Sequence, residues 1–390
     1  MNLRRISLAV MVCFAIGVTT SVSHAADDPQ NTIRNLVDTT IRPVMARNGI
    51  PGMAVGIAVA GKTCVFDYGE ATTATHQPVT RDTLFEIGSI TKTFTATLAA
   101  YAQISGNLSL SDKVDKYLPA LQETQFGGVT LVNLGTHTPG GLPLQVPDDI
   151  RNNTQLMHYF EAWRPAHPPG TYRTYSNLSI GMLGLIAAKS MGQDFTVLMQ
   201  KHLFSALGMD SSYIEVPATR MPDYAQGYTK KGAPIRMATG VLSSEAYGIK
   251  TTAADMVRFV EANMDLIELD PKLQHAIMDT HTSYFRAAAM TQDLIWEQYP
   301  YPVALKTLLD GNAPAMSLHA TPVAEVEPPG KPRDDVWMNK TGSTNGFGAY
   351  VAFVPEKQLG IVILANRNYP IDDRVTIAYE ILTSLADEEH

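Results

Sequence analysis

Three short motifs in this chain carry residue types that together perform nucleophilic acyl chemistry. Ser89-Ile90-Thr91-Lys92 follows Gly88 and opens an apolar-periodic stretch, so Ser89 and Lys92, three residues apart, share one helical face. Unpaired N–H groups at a helix start, at the positive end of the macrodipole, favour an alkoxide at Ser89 and an oxyanion beside it. A lysine partly desolvated near other cations sheds its proton more readily and can help activate the serine. An ordinary helix start looks the same, since Ser-x-x-Lys arises by chance about once in a chain of this size.

Tyr175-Ser176-Asn177 is the second motif, in a turn after Pro168-Pro169-Gly170. A tyrosine phenol can donate, accept or, with its pKa lowered by neighbouring cations, abstract a proton, and Asn177 offers both a donor and an acceptor. Alone, the pair also reads as a core tyrosine and a turn asparagine. The third motif, Lys340-Thr341-Gly342, ends a strand and continues into Ser343-Thr344-Asn345-Gly346. A lysine, a hydroxyl and a glycine there form a rail for a carboxylate-bearing amide, Gly342 allowing close backbone approach. A solvated strand-end lysine is the competing reading. Each motif occurs once, in the order 89, 175, 340, and that conjunction is far less probable by chance than any one of them.

The elements that must hold these motifs can be read from periodicity. Ile33 to Met45 recur at helical spacing and end at Gly49. Met53 to Ala60 and Thr63 to Tyr68 alternate as a hairpin around Gly61-Lys62. From about 90 to 210 the segments are mostly helical: Thr93 to Ile104, Leu178 to Met191 and Phe195 to Leu207. Helices follow at Thr252 to Met264 and after Asp270-Pro271. Strands return at Val336 to Lys340, Ala349 to Val354 and Leu359 to Leu364, before a closing helix at Asp373 to Ala386. Strands at both ends with helices between predict an α/β (α+β) fold. One antiparallel sheet is built from the two chain ends, with an all-helical lobe inserted and the site between them.

Composition bounds the partners. The 390-residue chain is 45% hydrophobic and 17% charged, which suits a large buried core. Net charge is -8, and no block of Lys and Arg suggests nucleic acid or an anionic membrane as a partner. Residues 1–25 read as a secretory signal. Arg4 and Arg5 precede the apolar run Ile6 to Val18 and the small-residue site Ser23-His24-Ala25, which leaves 26–390 as one soluble periplasmic domain. Cys64, left alone after Cys13 departs, reads as a buried inert thiol, and His137, His167 and His281 as turn or surface residues. Histidine spacing gives no metal site, so no cofactor is expected.

With these motifs in view, the chain resembles the class C β-lactamases, the serine cephalosporinases. The Tyr-x-Asn element separates it from class A enzymes, whose matching element is Ser-Asp-Asn. The resemblance spans the mature chain and includes the runs Gly141 to Asp148, Glu245 to Gly248, Asn345 to Pro355 and Ile363 to Pro370. It implies a serine β-lactamase/D,D-peptidase fold and a monomer that hydrolyses cephalosporins and penicillins. It implies Ser89 as nucleophile, with Lys92 and Tyr175 sharing the proton traffic and the N–H groups of Ser89 and Ser343 forming the oxyanion hole. Gln145 and Asn177 would hold the acylamino side chain, and Tyr247 would wall its pocket. Lys340 and Thr341 would meet the substrate carboxylate or assist Tyr175, with Gly342, Ser343 and Asn345 also along the substrate; Glu297 would stand behind the site. Three positions depart from the common pattern: Ser176 for alanine, Asn339 for histidine and Ile371 for asparagine. The same motifs also suit a D-alanyl-D-alanine peptidase or a lactamase-fold esterase, and a non-hydrolytic penicillin sensor is a third reading.

Overall fold

The computed structural model describes residues 29–388; the signal reading of 1–25 lies outside them. Helix α1 (Pro29–Asn48) leads into the hairpin β1 (Gly52–Val59) and β2 (Lys62–Thr72). Val59 pairs with Lys62, so the two-residue turn is Ala60-Gly61, one position earlier than the alternation predicts. Both turn residues have positive φ, 48° and 73°, the geometry that matches the twist of a tight hairpin. The closing strands are longer than predicted.

The remaining strands of the large sheet are β3 (Ser283–Ala287), β4 (Met290–Gln292), β5 (Glu297–Pro300), β6 (Thr321–Gly330), β7 (Val336–Ser343), β8 (Gly348–Val354) and β9 (Leu359–Ala365). The order is β2-β1-β9-β8-β7-β5-β4-β3-β6, with two-residue strands 77–78 and 172–173 at the edges. As expected, chain-end strands pair at its centre: β1 runs antiparallel to β9, β9 to β8, and β8 to β7. The sequence reading missed β3 to β6. They extend the sheet past β7 through the Glu297↔Asn339 pairing, which puts Glu297 beside the strand that carries Lys340.

Both faces of the sheet are covered. Helices α1 and α6 (Ile371–Glu388) pack on one face around Val37, Ile41, Trp337, Tyr350 and Ile381. On the other face lies α5 (Ala253–Asn263), capped by Thr252, whose hydroxyl accepts the Asp255 N–H at 3.1 Å. Phe259 of α5 stacks on Phe94 at a centroid distance of 3.9 Å. Fully burying a side chain of this size stabilises by about 1.5–3 kcal/mol.

Beyond α5 is a helical core built on α2 (Thr91–Ile104) and α3 (Asn177–Ser190), with the short α4 (Ser243–Tyr247) against both. Helix α2 is buried almost all round rather than along one stripe, so its threonines must find partners inside. Thr93 and Thr97 donate to the Ile90 and Thr93 carbonyls at 2.8 and 2.9 Å, and Thr95 reaches across to the Glu245 carbonyl at 2.6 Å. This packing fixes the position of the α2 start relative to α4.

His137 and His281 lie in turns, one of the two placements read from the sequence, and are 1% exposed, whereas the reading of Cys64 as buried is corrected. His137 lies against Tyr175, ring centroids 4.4 Å apart and tilted by 45°, and His281 meets Asn263 Oδ1 at 3.0 Å. Cys64 is only partly buried, because it sits on β2 near the open edge of the sheet.

Candidate active site

The chain enters α2 through a single tight turn, Gly88–Ile90, with Gly88 at φ +52°. That turn presents Ser89 to a cleft while Lys92, one turn on, is wholly buried. Lys92 Nζ donates to Ser89 Oγ and to the Ala246 carbonyl, both at 2.8 Å. Burial disfavours the ammonium and the nearby Lys340 charge adds to the effect, so the Lys92 pKa is pushed down to about 8.

Tyr175 lies on an irregular segment just before α3, 8% exposed. Lys92 Nζ, Lys340 Nζ and Arg173 Cζ stand 5.3, 5.1 and 5.3 Å from its ring centroid. Burial alone would raise its pKa, but the Lys340 and Lys92 charges overcome that and bring it down to about 8. Glu297 balances the cations. Its Oε1 is 3.0 Å from Arg173 Nη2 and 3.6 Å from Lys340 Nζ. Burial works against the Lys340 ammonium, yet Glu297 and Tyr175 hold its pKa above the usual lysine value. Arg173 is fixed from behind, donating to Gln292 Oε1 and the Met316 carbonyl at 2.6 Å each.

The end of β7 closes the other side of the cleft. A β-carbon on Gly342 would lie 1.9 Å from the Ile87 carbonyl oxygen, and one on Gly88 2.5 Å from the Ser343 nitrogen. Only glycine at both positions lets these two backbone segments touch, which brings the main chain of Ser343 against the turn that carries Ser89. Arg374 of α6, wholly buried, holds this strand end. Its Nη1 donates to the Gly342 carbonyl at 2.7 Å and to Ser343 Oγ at 3.0 Å, and its Nη2 to Asn368 Oδ1 at 2.7 Å.

The cleft encloses about 620 Å³, and nine of the residues singled out in the sequence line it: Ser89, Gln145, Tyr175, Asn177, Tyr247, Lys340, Thr341, Ser343 and Asn345. Lys92 and Gly342 do not line it. Asn177 opens α3, and its Nδ2 donates to Gln145 Oε1 at 2.6 Å. Its Oδ1 is buried with no partner among the described residues. Glu297 and Ile371 also line the cleft. Asn339 is buried underneath, its Oδ1 accepting from Tyr350 and Asn312 at 2.7 and 2.9 Å. Sequence reasoning missed Arg173, Arg374 and the inner placement of His137. Among the described residues, no three His, Cys, Asp or Glu side chains group as a metal site.

The β-lactamase family profile matches residues 37–386. This chain is a member of the β-lactamase family. The β-lactamase of Pseudomonas fluorescens is 49% identical over 353 residues, covering 90% of this chain and 99% of that protein. A crystal structure of a class C β-lactamase in complex with cefoxitin superposes with a TM-score of 0.90 at 52% identity, covering 92% of this chain and 100% of the other. A D-alanine carboxypeptidase AmpC from Burkholderia cenocepacia is 58% identical with a TM-score of 0.88, covering 91% of this chain and 99% of the other. The chain is thus similar along nearly its whole length to class C β-lactamases, hydrolases of the serine type, and it shares their fold. In this β-lactamase the described residues include no helix long and apolar enough to cross a membrane.

Proposed function

We propose that the enzyme opens the four-membered amide of cephalosporins and penicillins through an ester on Ser89. The observation that carries this reading is the 2.8 Å hydrogen bond between Lys92 Nζ and Ser89 Oγ, made beside a tyrosine whose phenol is held near pKa 8. Both Lys92 and Tyr175 therefore exist partly as bases at neutral pH, and either can take the serine proton. As Oγ bonds to the lactam carbonyl carbon, the developing oxyanion accepts from the N–H groups of Ser89 and Ser343. The proton passes through Tyr175 and Lys92 to the lactam nitrogen, the C–N bond breaks, and the acyl-enzyme remains. A water then attacks the ester, its proton taken by Tyr175, and Ser89 leaves with a proton.

Substrate is held at both ends. Lys340 and Thr341 meet the carboxylate, with Gly342, Ser343 and Asn345 along the same edge. Gln145 and Asn177 take the acylamino group, and the Tyr247 ring walls that side. Glu297, at the wall of the cleft, keeps Lys340 and Arg173 paired. The reading places the mature chain, 26–390, in the periplasm as one monomeric β-lactamase domain whose helical lobe spans about 90 to 210. The basic, apolar and small-residue order of 1–25 supports this location.

Turnover of a chromogenic cephalosporin by the purified protein tests the function. Hydrolysis that vanishes in Ser89→Ala is expected. Cleavage of a D-alanyl-D-alanine peptide without β-lactam turnover would overturn it in favour of a peptidase.

A further inference from the structure

Ser176, the middle residue of the Tyr-x-Asn motif, is wholly buried and plays no part in the chemistry above. Its Oγ caps α3, accepting from the N–H groups of Leu178 and Ser179 at 3.1 and 3.4 Å. The same hydroxyl donates to the Pro143 carbonyl at 2.6 Å. One residue on, the Asn177 N–H donates to the Leu144 carbonyl at 2.9 Å, and Asn177 Nδ2 donates to Gln145 Oε1 at 2.6 Å. Three consecutive loop residues are thus each tied to the Ser176-Asn177 pair.

The loop has little else to hold it. Leu142 and Ile150 are buried at its ends, but Pro143 and Gln145 are exposed and no regular element runs between them. Val146, just after Gln145, packs partly on the helical core, so the exposed stretch that precedes it takes its conformation chiefly from its hydrogen bonds. The Ser176 bond comes from a side chain that is wholly buried and also bonded to the helix start. Its backbone is fixed by an N–H to His137 Nδ1 at 3.3 Å, and its hydroxyl by the helix start. Removing the hydroxyl leaves the Pro143 carbonyl free to turn to water and loosens the segment that presents Gln145, which then rests on the two Asn177 bonds.

We infer that Ser176 is a positioning residue that pins the Pro143–Gln145 loop to the start of α3 and thereby sets the enzyme's preference among β-lactams for those bearing an acylamino side chain. This rests on the proposed function, in which Gln145 meets that group. Alanine at 176 would cap neither the helix nor the loop. Helix capping alone affects stability and acts alike on every substrate, whereas the loop bond acts only on substrates that Gln145 contacts.

The test compares two probes in single-turnover acylation: cephalothin, which carries an acylamino side chain, and 7-aminocephalosporanic acid, which has a bare amine. Ser176→Ala is expected to weaken cephalothin binding about three- to tenfold with its acylation rate constant little changed, and to leave the bare amine unaffected. In a Gln145→Ala background the same substitution should produce no further selective loss. Thermal denaturation of each variant separates the lost cap, which lowers Tm alike for Ser176→Ala in the parent and in the Gln145→Ala background. An equal change for both probes, no change for either, or a selective loss that persists without Gln145 would each overturn the inference. If neither probe acylates the parent enzyme, the proposed function falls and this inference falls with it; selective failure of Ser176→Ala in an active enzyme leaves that function standing.

Discussion

Gly88 and Ser343 are in backbone contact: a β-carbon on Gly88 would lie 2.5 Å from the Ser343 nitrogen and 2.6 Å from its carbonyl oxygen. The turn that carries Ser89 and the last residue of β7 are therefore positioned against each other by main chain. Their two N–H groups can then serve one oxygen without side-chain adjustment.

Gly88→Ala tests that contact. Gly88 sits at φ +52°, where a β-carbon costs about 1–2 kcal/mol before any clash is counted. The clash must push Ser343 away from the Ser89 turn, and loss of one oxyanion donor lowers kcat by about 10²–10³-fold. Steady-state kinetics alongside thermal denaturation should show a large fall in kcat in a protein that still folds. A kcat close to the parent's would show that the contact does not serve the reaction.

Tyr175→Phe keeps the buried ring among its three cations and removes only the hydroxyl. No glutamate matching the class A deacylation motif is present, so turnover should fall by roughly 10²–10⁴-fold, the usual contribution of a positioned acid or base. Stopped-flow separation of acylation from deacylation is the measurement. Unimpaired deacylation would remove Tyr175 from that step.

The alkaline rise in activity should move in opposite directions in two variants. Lys340 pulls the Tyr175 and Lys92 pKa values down, while Glu297 pushes that of Tyr175 up. In the parent the base form appears as pH rises through about 8. Lys340→Met removes the downward pull and moves the rise to higher pH; Glu297→Gln removes the upward push and moves it lower. Because the two bases are coupled, the midpoint belongs to the pair. Glu297→Gln also removes the countercharge of the buried Arg173 while keeping an acceptor oxygen, so a loss of stability, at most about 3–5 kcal/mol, should accompany it. A pH profile of acylation that shifts the same way in both variants would contradict this electrostatic account.

The three motifs were legible in the sequence because each combines residue types whose chemistry is local. The chain-end sheet was legible because β1 and β2 alternate around a glycine turn and β8 and β9 are apolar runs around Pro355-Glu356-Lys357. Strand β6 was not, since its face is mostly exposed and it contains Pro322, Pro328 and Pro329, which argue against a strand away from an edge. Arg173 and Arg374 were missed for a different reason. Within Tyr172-Arg173-Thr174 and Asp373-Arg374 an arginine reads as solvated surface charge, and only the fold reveals the buried carbonyls and the Glu297 carboxylate that accept from it.

Ile371 begins α6, lines the cleft and packs partly on the core beneath the sheet. It cannot donate to the substrate carboxylate, as the asparagine common at this place in class C enzymes could. Ile371→Asn should therefore lower KM for a good cephalosporin by up to about tenfold, roughly 1.4 kcal/mol of binding, with kcat little changed. Pre-steady-state acylation distinguishes binding from chemistry. An altered acylation rate constant with unchanged affinity would mean that position 371 shapes the transition state.

The central claim is that Ser89 carries the acyl group. Intact-protein mass spectrometry with a slowly hydrolysed β-lactam measures this directly, and peptide mapping locates the adduct. The account predicts a one-to-one adduct on the peptide containing Ser89, absent from Ser89→Ala. An adduct mapped to any other residue, or one that survives in Ser89→Ala, would contradict it.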